Sequence, residues 1–403
     1  MIDRRVILKR AGRMAGSATG KLWNQVQAPR FRSRARRSGI VPNGAVALYF
    51  ATGPENFYQF ELWRRPLERL ADLRPVFVIV DRPDTGERVL AETSLPVAFA
   101  RGSAALEELV DDRDVRVVLY VNQVESNFRM LRFADPVHVQ LGHGESDKAP
   151  SVSNQHKAYD LVFVGGPAGQ ERLGSGLRGF DAAHRAVPVG RPQLDHDYPD
   201  APDWARDERL RVWYAPTWEG DRPSLAYSSL VSHGLGIVET LLSDPLIRVI
   251  YRPHPRTGLI SPVHAAADRK IRSLLAQDGT RHLIDVGGYG WQWKFADACV
   301  TDISAVAYDW LATGKPLVIT EPAAVKAYRP RSALLERLPQ LRAEDAGRVV
   351  SWLHALGLGL DQPAKDGRLV ELARYYFGDT ADQASSRRFA AAIEKAYALG
   401  RVP

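Results

Sequence analysis

Three short motifs, far apart in the chain, carry residue types suited to phosphate chemistry: Gly142-His143-Gly144, Arg252-Pro253-His254-Pro255 and Thr301-Asp302-Ile303-Ser304. Two glycines around His143 let the backbone turn tightly and leave the imidazole exposed, and a histidine titrates near neutral pH. Such a group can take a proton from an attacking hydroxyl, a contribution of ~10²–10⁴ in rate. A loop histidine that hydrogen-bonds backbone is the competing reading. Prolines 253 and 255 fix the backbone and remove two N–H donors, so Arg252 and His254 are held where both can donate to phosphate oxygens. A proline-rich connection with a solvated arginine would look the same. Asp302 is expected as the N-cap of a helix whose first turn offers free N–H groups and about half a positive charge to an anion, with Ser304 adding a hydroxyl. Plain capping accounts for the same residues, and both can hold at once.

Each motif follows a strand-like run, which puts it at the carboxyl edge of a sheet, where open α/β sheets bind ligands. Buried strands are expected at Ala45–Phe50, Val76–Val80, Val115–Val121, Val137–Leu141 and Asp160–Val164, with helices around Glu55–Leu73 and Ser103–Asp112. The stretch Gly190–Arg209 is rich in Pro, Asp and Arg and reads as a linker. A second alternation follows: strands Leu210–Ala215, Arg248–Arg252, Leu283–Val286, Ala298–Thr301 and Leu317–Thr320, helices near Leu225–Leu242, Pro262–Gln277 and Ser304–Thr313. Helical periodicity continues in Ala343–Leu356, Gly367–Phe377 and Gln383–Leu399, and one of these could tie the two halves together. The expected domains are a basic arm (1–40), a first Rossmann-like lobe (41–190), a linker (191–209), a second Rossmann-like lobe (210–380) and a C-terminal helix (381–403).

Composition narrows the class. The chain has 403 residues, 45% of them hydrophobic, enough for two ordinary cores. The single Cys299 excludes an intrachain disulfide framework and fits a reducing compartment. No apolar run approaches the ~20 residues of a membrane span, and no signal-peptide core follows the N-terminus, so a cytoplasmic location is expected. Net charge is +7, but residues 1–38 alone carry eleven Lys/Arg against Asp3. Ile2, Val6, Ile7, Met14, Leu22, Trp23, Val26 and Phe31 are interspersed there, a basic amphipathic pattern suited to an anionic leaflet. A solubilising tail or a nucleic-acid arm is the alternative; the body shows no interleaved aromatic and basic surface, so nucleic acid is not expected as a partner.

The ordered conjunction of motifs resembles the CDP-glycerol glycerophosphotransferase family of teichoic acid polymerases and primases. The matching pieces are Gly142-His143-Gly144 with Lys148, Val189-Gly190-Arg191-Pro192-Gln193-Leu194-Asp195, Trp213-Tyr214-Ala215-Pro216-Thr217-Trp218, Arg252-Pro253-His254-Pro255, Thr301-Asp302-Ile303-Ser304 with Asp309, Gly314-Lys315-Pro316, and Ala384-Ser385-Ser386-Arg387. They span roughly residues 137–390. The resemblance implies a GT-B-like α/β fold: two Rossmann-like doubly wound lobes facing a cleft, with a helical C-terminal tail. It implies transfer of glycerol phosphate, or a related polyol or sugar phosphate, from a CDP-linked donor to a lipid-linked or polymeric cell-envelope acceptor. His143 is then the general base and His254 stabilises the leaving phosphate. Arg252, Thr217, Asp302, Ser304, Ser385 and Arg387 hold the donor phosphates, and Gly142, Gly144 and Lys148 lie on the acceptor side. Work at the inner face of the cell membrane, reached through the basic arm, fits a lipid-linked acceptor.

The chain departs from the family at Glu145-Ser146-Asp147, where Thr-Pro is usual, at Glu219 in place of Arg, at Ala305 in place of a second Ser, and at Asp382-Gln383. Two other functions stay open on this scaffold: a glycosyltransferase using a UDP- or GDP-sugar, and a member that binds nucleotide or polymer without turnover. No HExxH, GxGxxG or P-loop pattern is present, so no metal site, cofactor, NAD chemistry or ATP chemistry is expected.

Overall fold

A computed structural model describes residues 27–148, 151–204, 207–359 and 367–400. The chain divides into two compact units. The first holds the described residues up to His143, Ala158–Leu161 and those from Ile393 onward; the second holds Gly144–Lys157 and Val162–Ala392. Helix Ala384–Leu399 therefore belongs in part to each. No helix among the described residues is long and apolar enough to cross a membrane.

In the first unit five parallel strands, β1 (Val46–Phe50), β2 (Val76–Val80), β3 (Val97–Phe99), β4 (Val117–Tyr120) and β5 (Val137–Gln140), run in the order β3-β2-β1-β4-β5. β1, β2, β4 and β5 are buried along their whole length; the first three are continuous apolar runs, as a parallel sheet covered on both faces requires, and β5 buries His138 and Gln140 as well. Helices Phe57–Leu70, Pro83–Glu92 and Ser103–Asp112 follow β1, β2 and β3.

The described part of the basic arm corrects one expectation. Residues 27–38 are helical, and Phe31 and Ala35, one turn apart, are buried. The Phe31 ring meets Phe99 edge-on at 5.4 Å and lies over Gly86, where a Cβ would come within 2.2 Å of it. Phe31 therefore belongs to the first unit's core and is not available to a membrane. Ile2, Val6, Ile7, Met14, Leu22, Trp23 and Val26 lie outside the described residues.

In the second unit β6 (Leu161–Val164, its first residue grouped with the first unit) pairs in parallel with β7 (Ala186–Pro188). Six further strands, β8 (Leu210–Ala215), β9 (Ile247–Tyr251), β10 (Leu283–Ile284), β11 (Ala298–Thr301), β12 (Leu317–Thr320) and β13 (Gln340–Leu341), form a parallel sheet in the order β10-β9-β8-β11-β12-β13. Strand alternation builds a core on each face. Trp213, Ala215, Ile250, Cys299 and Ile319 pack toward Trp310, Leu372 and Tyr376, whereas Val212, Tyr214, Val249, Tyr251, Val300 and Val318 pack toward Ile237, Ile271 and Leu353.

The start of the expected linker is packed tightly. Arg191, Pro192 and Gln193 are buried, and the Arg191 guanidinium grips Asp309 with bonds of 2.8 and 3.1 Å. The last helices also differ in detail: residues Ala343–Arg348 form a 3-10 turn before helix Val349–Ala355, and the helix expected from Leu225 begins only at Gly234.

Candidate functional site

Strand order in the second unit reverses between β8 and β11, and ligands bind at the carboxyl ends of strands at such a switch point. Three motifs singled out in the sequence emerge there from adjacent strands: Thr217 after β8, Arg252–Pro255 after β9 and Asp302–Ser304 after β11.

Asp302 organises the point, though not as an N-cap. It is fully buried: Oδ2 accepts the backbone N–H groups of Thr217 (2.6 Å) and Ser229 (3.2 Å), and Oδ1 accepts the Thr320 hydroxyl at 2.6 Å. Burial raises the carboxyl pKa, opposed by these donors. The cap position of helix Ala305–Leu311 is held by Ser304, whose side chain makes no capping bond and instead lies 3.3 Å from Thr301 Oγ1. Asp302 thus clasps the β8 loop, the 226–233 loop and β12 together. Thr217 is buried, and its hydroxyl makes no hydrogen bond among the described residues.

His254 Nδ1 accepts the Arg256 N–H at 3.1 Å, which places the ring proton of the neutral tautomer on Nε2, the form that donates to a phosphate oxygen. Its ring stacks on Trp218 at 6.3 Å, and the Arg256 guanidinium lies 3.9 Å from the same indole. The loop that follows is tied down by Glu219, whose carboxylate accepts the N–H groups of Gly258 (3.0 Å), Ile260 (3.2 Å) and Ser261 (3.1 Å). Burial would raise the Glu219 pKa, but the backbone donors outweigh it and hold the group below its ordinary value. Arg252 is turned elsewhere: it donates to Asp285 at 2.7 Å and to the carbonyls of Gly288 and Gly287. Those bonds fix the 285–288 loop beside His254.

Lys148 also lies in the second unit, not with His143 and Gly142. Its Nζ rests 4.9 Å from the centre of the Tyr227 ring. Burial lowers its pKa to about 8, with the charge of Asp302 opposing. Gly144 packs against the start of helix Ala305–Leu311, where an added Cβ would sit 2.6 Å from that of Ala305. In the first unit Gly142 adopts φ +66°, its carbonyl accepts Trp63 Nε1 at 2.6 Å, and the His143 ring meets Tyr58 edge-on at 5.8 Å. Ser385 is buried and accepts the Arg191 N–H at 3.0 Å, whereas Arg387 is exposed. Both Ala384-Ser385-Ser386-Arg387 and the Gly190–Asp195 stretch thereby serve one internal joint, since Asp195 also accepts the Ser386 N–H at 2.6 Å.

The sequence reading missed Tyr227, Ser229 and Thr320. Tyr227 and Ser229 were hidden inside an over-long helix; the serine-rich run Tyr-Ser-Ser-Leu-Val-Ser-His before Gly234 is the turn-forming signal that would have exposed them. Thr320 ends β12 and is indistinguishable by pattern from any strand terminus. Among the described residues no three His, Cys, Asp or Glu side chains gather as a metal site.

No family model and no curated protein matches the chain. Solved structures do. A Listeria monocytogenes protein assigned as a UDP-N-acetylglucosamine 2-epimerase aligns over 89% of this chain and 97% of its own, with a TM-score of 0.58 at 13% identity. The wall teichoic acid polymerase TagF, soaked with CDPG, aligns over 96% and 98%, with a TM-score of 0.56 at 13% identity. MnaA of S. aureus in complex with UDP gives 89%, 97%, 0.54 and 12%. The fold is GT-B-like. At these identities the likeness establishes architecture and nothing finer.

Proposed function

We propose that the protein is a nucleotide-dependent phosphotransferase that moves glycerol phosphate, or a related polyol or sugar phosphate, from a CDP-linked donor to a lipid-linked or polymeric cell-envelope acceptor. The supporting observation is that three sequence motifs meet on neighbouring strands at the second unit's switch point, bringing His254, Thr217 and Ser304 to one edge. In this reading an acceptor hydroxyl attacks the phosphorus that carries the polyol. The bond from that phosphorus to the bridging oxygen breaks, CMP departs, and the acceptor proton passes to His143 of the first unit. His254 Nε2–H donates to the departing phosphate, where a fixed donor counts most. The basic N-terminal arm then holds the protein against the anionic inner face of the membrane. TagF, crystallised with CDPG, supports the choice of donor through fold and motifs together.

A second reading, a UDP- or GDP-sugar enzyme, is favoured by the UDP bound to MnaA. Thermal-shift measurement with CDP-glycerol, CDP-ribitol, CMP, UDP-sugars and GDP-sugars separates the two, because a ligand that binds only the folded state raises Tm. Stabilisation by cytidine ligands, followed by CMP release that disappears in His143→Ala and His254→Ala, is the expected result. Stabilisation by UDP or GDP compounds alone would transfer the protein to the second reading.

A further inference from the structure

Among the described residues of the second unit, one half-buried ammonium, that of Lys148, has no ion-pair partner, and only the charge of the buried Asp302 acts on it through space. Other cations of the second unit, Arg191 buried and three half-buried, have partners: Arg172 pairs with Glu145 and Asp147, Arg191 with Asp309, Arg252 with Asp285, and the Lys315 ammonium donates to the carbonyls of Trp293, Lys294 and Ala296. Among the described residues the Lys148 ammonium makes neither a hydrogen bond nor an ion pair, and it lies over the face of Tyr227; the residue's carbonyl accepts the Ser151 N–H at 2.9 Å. The acids around it are already engaged. Asp302 is filled by Thr217, Ser229 and Thr320, Glu219 by three backbone N–H groups, and Asp147 by Arg172 and the hydroxyls of Tyr376 and Tyr308 at 2.6 and 3.2 Å.

Asp147 also fixes the backbone that presents the lysine, since its N–H donates to Tyr308 Oη at 3.2 Å. The position is therefore held by a built joint and is not that of a surface lysine. A second orphan lies beneath it: the Tyr227 hydroxyl is buried and has no hydrogen-bond partner among the described residues. An ammonium taken out of water without a direct ion-pair partner is unfavourable, and a bound anion reduces that cost.

We propose that Lys148, seated on Tyr227, is an anion site that takes the diphosphate of the nucleotide-linked donor, opposite to the acceptor-side role that the resemblance implies. This rests on the second unit being the donor-binding unit. The same chemistry could be supplied by a phosphate-bearing acceptor, so the test includes both sources.

The experiment is calorimetric titration of the full chain and of Lys148→Met and Lys148→Arg at neutral pH with CDP, UDP, GDP, cytidine, inorganic pyrophosphate and glycerol 3-phosphate. The nucleoside diphosphate that the wild type binds is expected to lose at least about tenfold in affinity in Lys148→Met and to recover most of it in Lys148→Arg. Cytidine binding should be unchanged. The ligand-free Tm of Lys148→Met should equal or exceed that of the wild type, which separates loss of a ligand contact from loss of the fold. Affinities within about twofold of wild type in Lys148→Met overturn the proposal. So does a loss confined to glycerol 3-phosphate, which would move the anion to the acceptor. A wild type that binds pyrophosphate through Lys148 but no nucleotide retains the anion site and overturns the donor reading alone; binding of no anion at all overturns both.

Discussion

Glu145 and Asp147 stand within three residues of Lys148, yet neither neutralises it, because Arg172 holds both carboxylates and Glu145 also accepts the Gly165 N–H at 3.0 Å. These acids, like Glu219, make intramolecular bonds that hold local structure. The isolation of Lys148 has a pH signature. Its pKa is depressed to about 8 from an unfolded value of 10.5, with burial the main cause. Above 10.5 both folded and unfolded states carry the neutral amine; between 10.5 and about 8 only the unfolded state gains the proton, so this group's contribution to stability is lost as pH falls through that window. The ligand-free Tm of the wild type should therefore trail that of Lys148→Met below about pH 8 and approach it toward 10.5. A bound anion restores the charge, so diphosphate binding above pH 8 should take up a proton, measured by calorimetry in buffers of differing ionisation enthalpy. Equal proton uptake in Lys148→Met would assign the effect to another group. The sequence displayed His143, His254, Thr217 and Ser304 because small or proline neighbours mark them. It could not show that Asp302 faces inward or that Arg252 braces a loop, since those roles depend on residues 18 to 85 positions away.

The loop from His254 to Ser261 has no regular structure of its own, and Glu219 supplies its order through three backbone hydrogen bonds. Glu219→Ala leaves those donors without an acceptor, and the expected loss is ~1–3 kcal/mol in urea unfolding, with Gly258, Ile260 and Ser261 among the amides whose exchange accelerates. Glu219→Gln, which keeps an acceptor oxygen, should recover part of both. Unchanged exchange at those three amides would show the loop to be ordered by its prolines instead. Elements in this protein were legible where apolar runs are long: β1, β2, β8 and β11 appear within a residue of expectation. Helices Pro83–Glu92 and Pro167–Gly176 were not: each carries internal glycine, which weakens a helical pattern. Gly86 is there for Phe31, whose ring occupies the space of a side chain. β7 and β13 are too short to carry a period of two.

At the scale of the whole chain the fold class was readable from alternating strand and helix patterns, and the two doubly wound sheets follow it. Charge is distributed less simply. Of the eleven basic residues before position 39, Arg30, Arg32, Arg34, Arg36 and Arg37 sit on or beside a helix that the first unit holds by Phe31 and Ala35. Arg4, Arg5, Lys9, Arg10, Arg13 and Lys21 precede it, with Asp3 the one acid. If that segment supplies the membrane contact, each surface-close cation contributes ~1 kcal/mol, screened by salt over about 8 Å. A chain beginning at Gln27 is then expected to lose most of its co-sedimentation with phosphatidylserine vesicles, and the full chain to be released as salt rises. Nucleotide binding by the shortened chain should be unchanged, because the Lys148, Thr217 and Asp302 contacts all lie within the second unit. Retained, salt-insensitive vesicle binding would instead direct attention to Leu259, Ile260 and Val263. All three are more than half exposed on the stretch that Glu219 ties down beyond His254, and an apolar contact there would bring the bilayer to the sheet edge proposed to bind the donor.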